Sequence, residues 1–407
     1  MQRAATLNRR AVAPVRTAAP HVCILACQHS VGDPRVAHRL ARSFVEAGFR
    51  VSWIGPDLGA KVREHGVEFH LFPAKQSRLN RLTRRRPVTR VAADLPAVDV
   101  FFAVEPDSAA AAIAVARRRG IRVVFDIHEF YHREMLLRWV PRWLLPAVGT
   151  GVRSWIRGLC RRCDLVVGVS DEILEAYHID GRHELVVRNC AALEMATGPA
   201  ADVCGSGRNT FTVMHGKSTA GHGTESLIVS LGILKARGVT NIRAICFDYF
   251  DDGSGLTRRR FTELVRRHEV ADFIDLRPLV PHAAMADLLA SCDAGLLAYD
   301  RDWGTQGLPN RLFEYMAAGL PIIAPTYATA MERIVTGEHC GLLVDCEKPL
   351  EVAKAIVTLR DNPARARELG DRARNAFHSR HNWQLESQPL IAAIRELVPA
   401  PRASGIP

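Results

Sequence analysis

The sequence is poor in several features, and each absence removes a class of protein. It has no run of about 18 uncharged apolar residues, so no membrane-spanning helix is expected. The first twenty residues are rich in Arg and Ala and lack the continuous apolar stretch of a secretory signal. The ten cysteines follow no disulfide framework; Cys23, Cys27 and Cys246 sit inside apolar runs, where cysteine packs as a small hydrophobe. Cys160 and Cys163 form a lone Cys-x-x-Cys without a second pair at zinc-site spacing, and carboxylates do not cluster at metal-ligand spacing. No metal is therefore expected, and a reducing cytosol fits. Nothing reads as a helix-turn-helix, zinc finger or RNA-binding signature, so nucleic acid is not an expected partner.

The 407 residues suit two domains, each able to bury its own core. Hydrophobic residues make up 48% and charged residues 24%, the balance of a water-soluble globular chain. The net charge of +11 is almost all arginine. Two readings stay open for it: attraction to a polyanion, or a coding bias without function.

Short apolar runs alternate with longer amphipathic segments. Strands are expected at 21–26, 49–55, 67–72, 99–104, 122–127, 164–169 and 185–187, with helices at 33–47 and 107–119. Small, polar residues 191–209 read as a linker. A second series follows, with strands at 210–214, 242–247, 273–276, 294–298, 321–324 and 341–344. Helices fall between them at 224–237, 258–267, 309–318 and 350–360, and a helical tail runs over 363–397. Two successive strand–helix series predict an α/β protein of two Rossmann-like parallel-sheet domains. The expected division is a disordered tail at 1–19, domains at 20–190 and 210–375 joined by the linker, and a C-terminal helix and tail at 376–407.

Residues 306–324, QGLPNRLFEYMAAGLPIIA, carry the sharpest pattern. A turn with Gly307 and Leu308 leads to Pro309, suited to a first helical turn, and the helix ends at Gly319. Free amides and the macrodipole at such a helix start attract phosphate. Glu314 lies one turn beyond Asn310 on the same face, where its carboxylate can accept both hydroxyls of a ribose. A second constellation, His215–Gly223 (HGKSTAGHG), follows a strand directly. Its Gly216 lets phosphate approach the backbone, and Lys217 and His222 offer cations. In the first half, Asp126-Ile-His-Glu129 closes a strand. There His128 can hydrogen-bond a sugar hydroxyl or leaving phosphate, and Glu129 can orient it or deprotonate an acceptor. The loop Gly32-Asp33-Pro34-Arg35 follows the first strand, and Ser170 and Asn189 stand at later strand ends.

Glu314–Pro321 closely resembles the signature of glycosyltransferase family 4, a retaining family with the GT-B fold of two domains facing across a cleft. The family pattern is Glu-x7-Glu before Ala-Gly-x-Pro, and the resemblance implies that Glu314 binds the nucleotide ribose. The first family Glu faces the donor sugar; Gln306 stands there without its charge, and Asp300 or Asp302 lies in the same loop. The family's diphosphate-binding Arg and Lys correspond to Lys217 and His222, and Gly32 resembles its first glycine loop. His128 matches a histidine common in the family. The implied activity is transfer of a sugar from a nucleotide-diphosphate donor to an acceptor hydroxyl with retention, in cell-surface polysaccharide or glycolipid synthesis. His128, Lys217 and Gln306 are then the expected catalytic residues. Gly32, Gly216, Lys217, His222, Gly307, Leu308, Pro309, Asn310 and Glu314 are the expected donor-binding residues. No cofactor or metal is implied. The expected partners are the nucleotide sugar and a lipid-linked or saccharide acceptor, in the cytoplasm at the inner face of the membrane.

The alternatives are a sugar-nucleotide epimerase or phosphorylase on the same fold, and a non-catalytic module binding nucleotide sugar or membrane. Residues 78–90 are rich in Arg, and residues 135–162 alternate Arg with Trp, Val and Leu. Such a pattern suits either an anionic membrane surface or a solvated basic face over a packed helix.

Overall fold

The structure, a computed structural model, describes residues 19–33, 35–59, 66–74, 83–132, 140–196, 209–250, 255–281, 284–301 and 307–398. The tail ahead of residue 19, Pro34, and Arg78, Arg81, Arg138 and Trp139 of the basic stretches lie outside them. Two compact units are resolved by their contacts. One takes the chain up to Asp126, Arg162–Leu165 and the chain from Pro389 on; the other takes Ile127–Arg161 and Val166–Gln388.

There are two sheets. The first has seven strands in the order β3-β2-β1-β4-β5-β6-β7. Its strands are β1 (His21–Leu25), β2 (Arg50–Asp57), β3 (Val67–Pro73), β4 (Val100–Ala103), β5 (Arg122–Ile127), β6 (Leu165–Gly168) and β7 (Glu184–Val186). The second has six, in the order β10-β9-β8-β11-β12-β13. They are β8 (Phe211–Lys217), β9 (Ile242–Phe247), β10 (Ile274–Arg277), β11 (Ala294–Leu296), β12 (Ile322–Pro325) and β13 (Gly341–Val344). Pairing is parallel in both. Parallel strands covered on both faces must be apolar throughout, which is why β1 and β4 are buried at every position.

Strand order reverses between β1 and β4 in one sheet and between β8 and β11 in the other. Loops leave such a point in opposite directions and open a crevice at the strands' carboxyl ends, where doubly wound sheets bind ligands. The segments after β1, β4, β8 and β11 are therefore the ones to inspect.

Strand boundaries agree with the sequence reading to within a few residues. Helix Pro106–Arg119 shows why its position was plain: Pro at its start, a capping box of Glu105 with Ser108, three arginines in its last turn and Gly120 at φ +65° beyond. Elsewhere the structure departs from expectation. The helix read over 33–47 opens with widened turns, Leu40 N donating to Arg35 O at 2.9 Å, before regular helix over Arg42–Glu46. The helical tail is broken at Arg380–Asn382 into Pro363–Ser379 and Trp383–Leu397. Part of the segment read as linker is packed: Ala191, Met195 and Ala196 are buried in the apolar core of the second sheet. Helices Arg85–Asp94 and Leu145–Cys160 lie in the basic stretches, while Asp171–Tyr177, Met285–Ala290 and Thr329–Gly337 had no separate expectation.

Candidate functional site

β8 is irregular just where it ends. Its register against β9 shifts between Met214 and Gly216, which makes His215 a bulge residue. Gly216 follows at φ +104°, a conformation L side chains rarely adopt. The turn beyond is tied to the end of β9: Ser218 N donates to Tyr249 O at 3.1 Å and Ser218 Oγ to Phe247 O at 2.7 Å. Lys217 is exposed, and its Nζ lies 4.8 Å from the centre of the Tyr249 ring. His222 is engaged differently: Nδ1 hydrogen-bonds Thr219 Oγ1, and the ring lies against Tyr299 with centroids 4.9 Å apart. Gly223 then starts helix Thr224–Ala236 at φ +69°.

His215 is buried, and its Nε2 lies 2.9 Å from Thr224 Oγ1. The Thr224 hydroxyl is turned toward Thr219 O at 3.2 Å, so His215 Nε2 carries the proton and donates. Burial, reinforced by the neighbouring Arg311 guanidinium, drives the His215 pKa down to about 3 and keeps the ring neutral.

The second component is helix Asn310–Ala318, preceded by Pro309 in extended conformation and ended by Gly319 at φ +75°. Pro309 caps this helix from outside rather than occupying its first turn, because its ψ is 144°. Leu308 is buried, and its carbonyl accepts Asn189 Nδ2 at 3.4 Å. Tyr315 donates from its hydroxyl to Met214 O at 2.9 Å and so fixes the helix beside the β8 bulge. Glu314 is buried and paired with Arg311, Nη1 to Oε2 at 3.0 Å. In this unit the structure thus brings Gly216, Arg311 and Glu314 together. Asp300 contributes its amide to Gly221 O at 3.3 Å. Gln306 and Asp302 lie outside the described residues.

Arg311 was missed in the sequence, although a signal existed. It precedes Glu314 by three residues on one helical face, the spacing at which opposite charges meet. His215, Thr224 and Tyr249 were also unread, because their roles depend on how the bulged turn folds back.

In the first unit the segment after β1 is held by one carboxylate. Glu105 accepts the amides of Cys27 and Gln28 at 2.8 Å each and of His29 at 2.9 Å, and pairs with His29 Nδ1 at 2.6 Å. Arg35 and Asp126 form a buried pair, Nη2 to Oδ1 at 2.9 Å. Asp33 Oδ1 accepts the amides of Arg35 and Val36 at 2.9 Å each, while Gly32 is exposed. Asp126, read as part of a strand-end constellation, is thus the anchor of Arg35. In the second unit His128 is half-buried just past β5 and Glu129 is exposed. Ser170 caps helix Asp171–Tyr177 by accepting Ile173 N.

Burial alone would raise the Glu105 pKa; His29 and the amide donors outweigh it and hold the carboxyl at about 2. A carboxyl depressed in the folded state stabilises above its unfolded pKa, and that stability is lost as pH falls toward the folded value. The linked stability is about 3 kcal/mol, lost between about pH 4.5 and 2. Glu105→Gln is expected to be less stable at pH 7 and to lose less stability over that acid interval, as read by urea unfolding at a series of pH values. A variant whose acid dependence parallels the parent's would remove Glu105 from this account.

Comparison with solved structures defines the class. Sucrose-phosphate synthase from Thermosynechococcus elongatus superposes with a TM-score of 0.75 over 93% of this chain and 99% of its own, at 16% identity. HepE of Anabaena in complex with UDP gives 0.67 over 93% and 100%, also at 16% identity. The fold is GT-B. Residues 32–187 match the family model of Glycosyltransferase Family 4, and residues 258–392 match that of the glycosyl transferase-like proteins. The first half of the chain is thus similar to Glycosyltransferase Family 4, and the second half to the glycosyl transferase-like proteins. Among curated relatives, the Salmonella typhimurium protein assigned as colanic acid biosynthesis glycosyltransferase WcaL is 23% identical over 285 residues, 69% of this chain and 65% of that protein. D-inositol 3-phosphate glycosyltransferase of Kineococcus radiotolerans is 26% identical over 144 residues, 33% of this chain and 32% of its own. Each match spans less than two thirds of the relative's length.

Proposed function

We propose that this protein transfers a sugar from a nucleoside-diphosphate donor to an acceptor hydroxyl, with retention at the anomeric carbon. The observation that carries the reading is the meeting of Gly216, which has no side chain and follows the bulge, with the pair of half-buried Arg311 and buried Glu314, next to exposed Lys217. The donor's diphosphate lies at the bulge and the amides of Leu308 and Asn310, and Glu314 takes the ribose diol. Negative charge growing on the departing diphosphate is stabilised by fixed dipoles and Lys217, so catalysis is mainly electrostatic and no metal is invoked. The family pattern assigns His128 and Gln306 to the transferred sugar. HepE was solved with UDP and glucose, and WcaL is assigned to polysaccharide synthesis; both support a UDP-type donor and a hexose, for surface polysaccharide or glycolipid.

A lipid-linked acceptor would require contact with a membrane. No helix among the described residues is long and apolar enough to cross one. Trp143 and Trp155 are 78% and 41% exposed beside helix Leu145–Cys160, whose inner face buries Ile156, Leu159 and Cys160. The packed-helix reading and the surface-contact reading thus apply to opposite faces of one element, and the outer face supports peripheral contact.

The test is release of nucleoside diphosphate from a panel of nucleotide sugars, with and without saccharide and lipid-linked acceptors, with the product anomer assigned by NMR. Acceptor-dependent release with retained configuration is expected. Acceptor-independent turnover would favour the epimerase or phosphorylase alternative. Binding without turnover across the panel would leave a non-catalytic module.

A further inference from the structure

We propose that Arg311 is the second diphosphate cation of this site, gripping phosphate oxygens through the edge formed by its Nε and Nη2; this rests on the donor-binding reading above. The turn after β8 offers one exposed cation, Lys217. His222 is engaged by Thr219 and packed on Tyr299, which leaves a diphosphate short of positive charge.

Arg311 supplies it geometrically. Its Nη1 is occupied, 3.0 Å from Glu314 Oε2 and 2.9 Å from Met285 Sδ. Among the described residues no acceptor takes the hydrogens of Nε and Nη2. Those two atoms face the bulge: each lies 3.9 Å from the point where a Cβ on Gly216 would stand, and apart from its chain neighbours His215 and Lys217 no other described atom reaches within 4 Å of it. The space beside the fork is therefore kept open by the one residue type that has no side chain. The guanidinium carbon lies 5.8 Å from the Phe247 ring centre, and the side chain is 19% exposed, which limits its rotation. Burial works against its charge and the Glu314 carboxylate more than restores it, so the group stays cationic. A planar fork with Nη1 anchored and the other edge open matches the bidentate geometry in which guanidinium binds phosphate. Glu314, fixed by Nη1, then meets the ribose next to the phosphate that the opposite edge holds. One rigid pair reads both parts of the nucleotide.

The experiment separates binding of phosphate from positioning of Glu314. UDP, GDP and ADP are titrated calorimetrically against the wild-type chain, and the one that binds is compared with its nucleoside, measured by competition. The variants are Arg311→Met, Arg311→Lys, Glu314→Gln and the double Arg311→Met/Glu314→Gln, which leaves no buried carboxylate unpaired. Relative to Glu314→Gln, the double variant is expected to lose about tenfold to a hundredfold in diphosphate affinity. Its nucleoside affinity should stay within about twofold, the size of loss that charge-assisted phosphate bonds do not account for. Arg311→Lys should recover only part of the loss, since an ammonium lacks the fork. Equal losses for nucleoside and diphosphate would make Arg311 a support for Glu314 alone, and unchanged diphosphate affinity would end the proposal. If none of the three diphosphates binds the wild-type chain, the donor-site reading itself fails, and this inference with it.

Discussion

Lys217→Ala is expected to slow sugar transfer by roughly 10²–10³-fold, most of it in kcat, with the protein still folded. Lys217 is exposed at the end of β8, so its loss leaves no buried cavity. Its ammonium lies 4.8 Å from the Tyr249 ring centre, and Tyr249 O is tied to the Ser218 amide, so the cation is positioned before substrate arrives. A preorganised charge beside a group that becomes more negative as the glycosidic bond breaks binds the transition state better than the ground state, and only that difference raises kcat. Single-turnover rates at saturating donor separate this from weaker binding. A variant that lowers donor affinity with kcat intact would show Lys217 to be a uniform binder. One with near-normal turnover would remove it from the mechanism.

The largest effect on stability is expected at Gly223. It stands at φ +69° at the start of helix Thr224–Ala236, and a Cβ there would lie 1.7 Å from Ala298 O and 2.9 Å from Ala298 Cβ. The left-handed conformation alone costs about 1–2 kcal/mol for an L side chain. The overlap with backbone adds more, since either the turn or the segment after β11 must move. The total for Gly223→Ala should exceed about 4 kcal/mol. Gly238→Ala is the matched control: φ is +73°, and nothing lies within 4 Å of the added carbon. Thermal and urea unfolding of the two variants isolate the steric part. Similar destabilisation in both would mean that the close approach at Ala298 is soft. The same contact sets the path of the loop through Tyr299 and Asp300, so a surviving Gly223→Ala protein should also bind donor poorly.

These two residues show different kinds of legibility. Lys217 was visible because Gly-Lys directly after an apolar strand is a local pattern with a local reason. Gly223 was visible as a glycine, but its necessity was not, because Ala298 approaches from 75 positions along the chain. Glu105 was read neither as a cap nor as a clamp. The amides it holds belong to residues 27–29, which reach it only because β1 and β4 are neighbours. Arg35 and Asp126 behaved alike: each was noted, and their pairing was not.

By itself the sequence determined the α/β alternation, most strand positions, the helix that carries Glu314 and the glycine turn after β8. Each follows from periodicity, capping and turn chemistry within a few consecutive residues. Only the tertiary structure decided the strand orders, the burial of Ala191, Met195 and Ala196 in the second core, the His215–Thr224 bond, and the meeting of Arg311 with Gly216 across 95 residues of chain. Parallel sheets bring together strands that are distant in sequence. The partners of a charge or a bulge are therefore set by sheet order, which no local pattern contains.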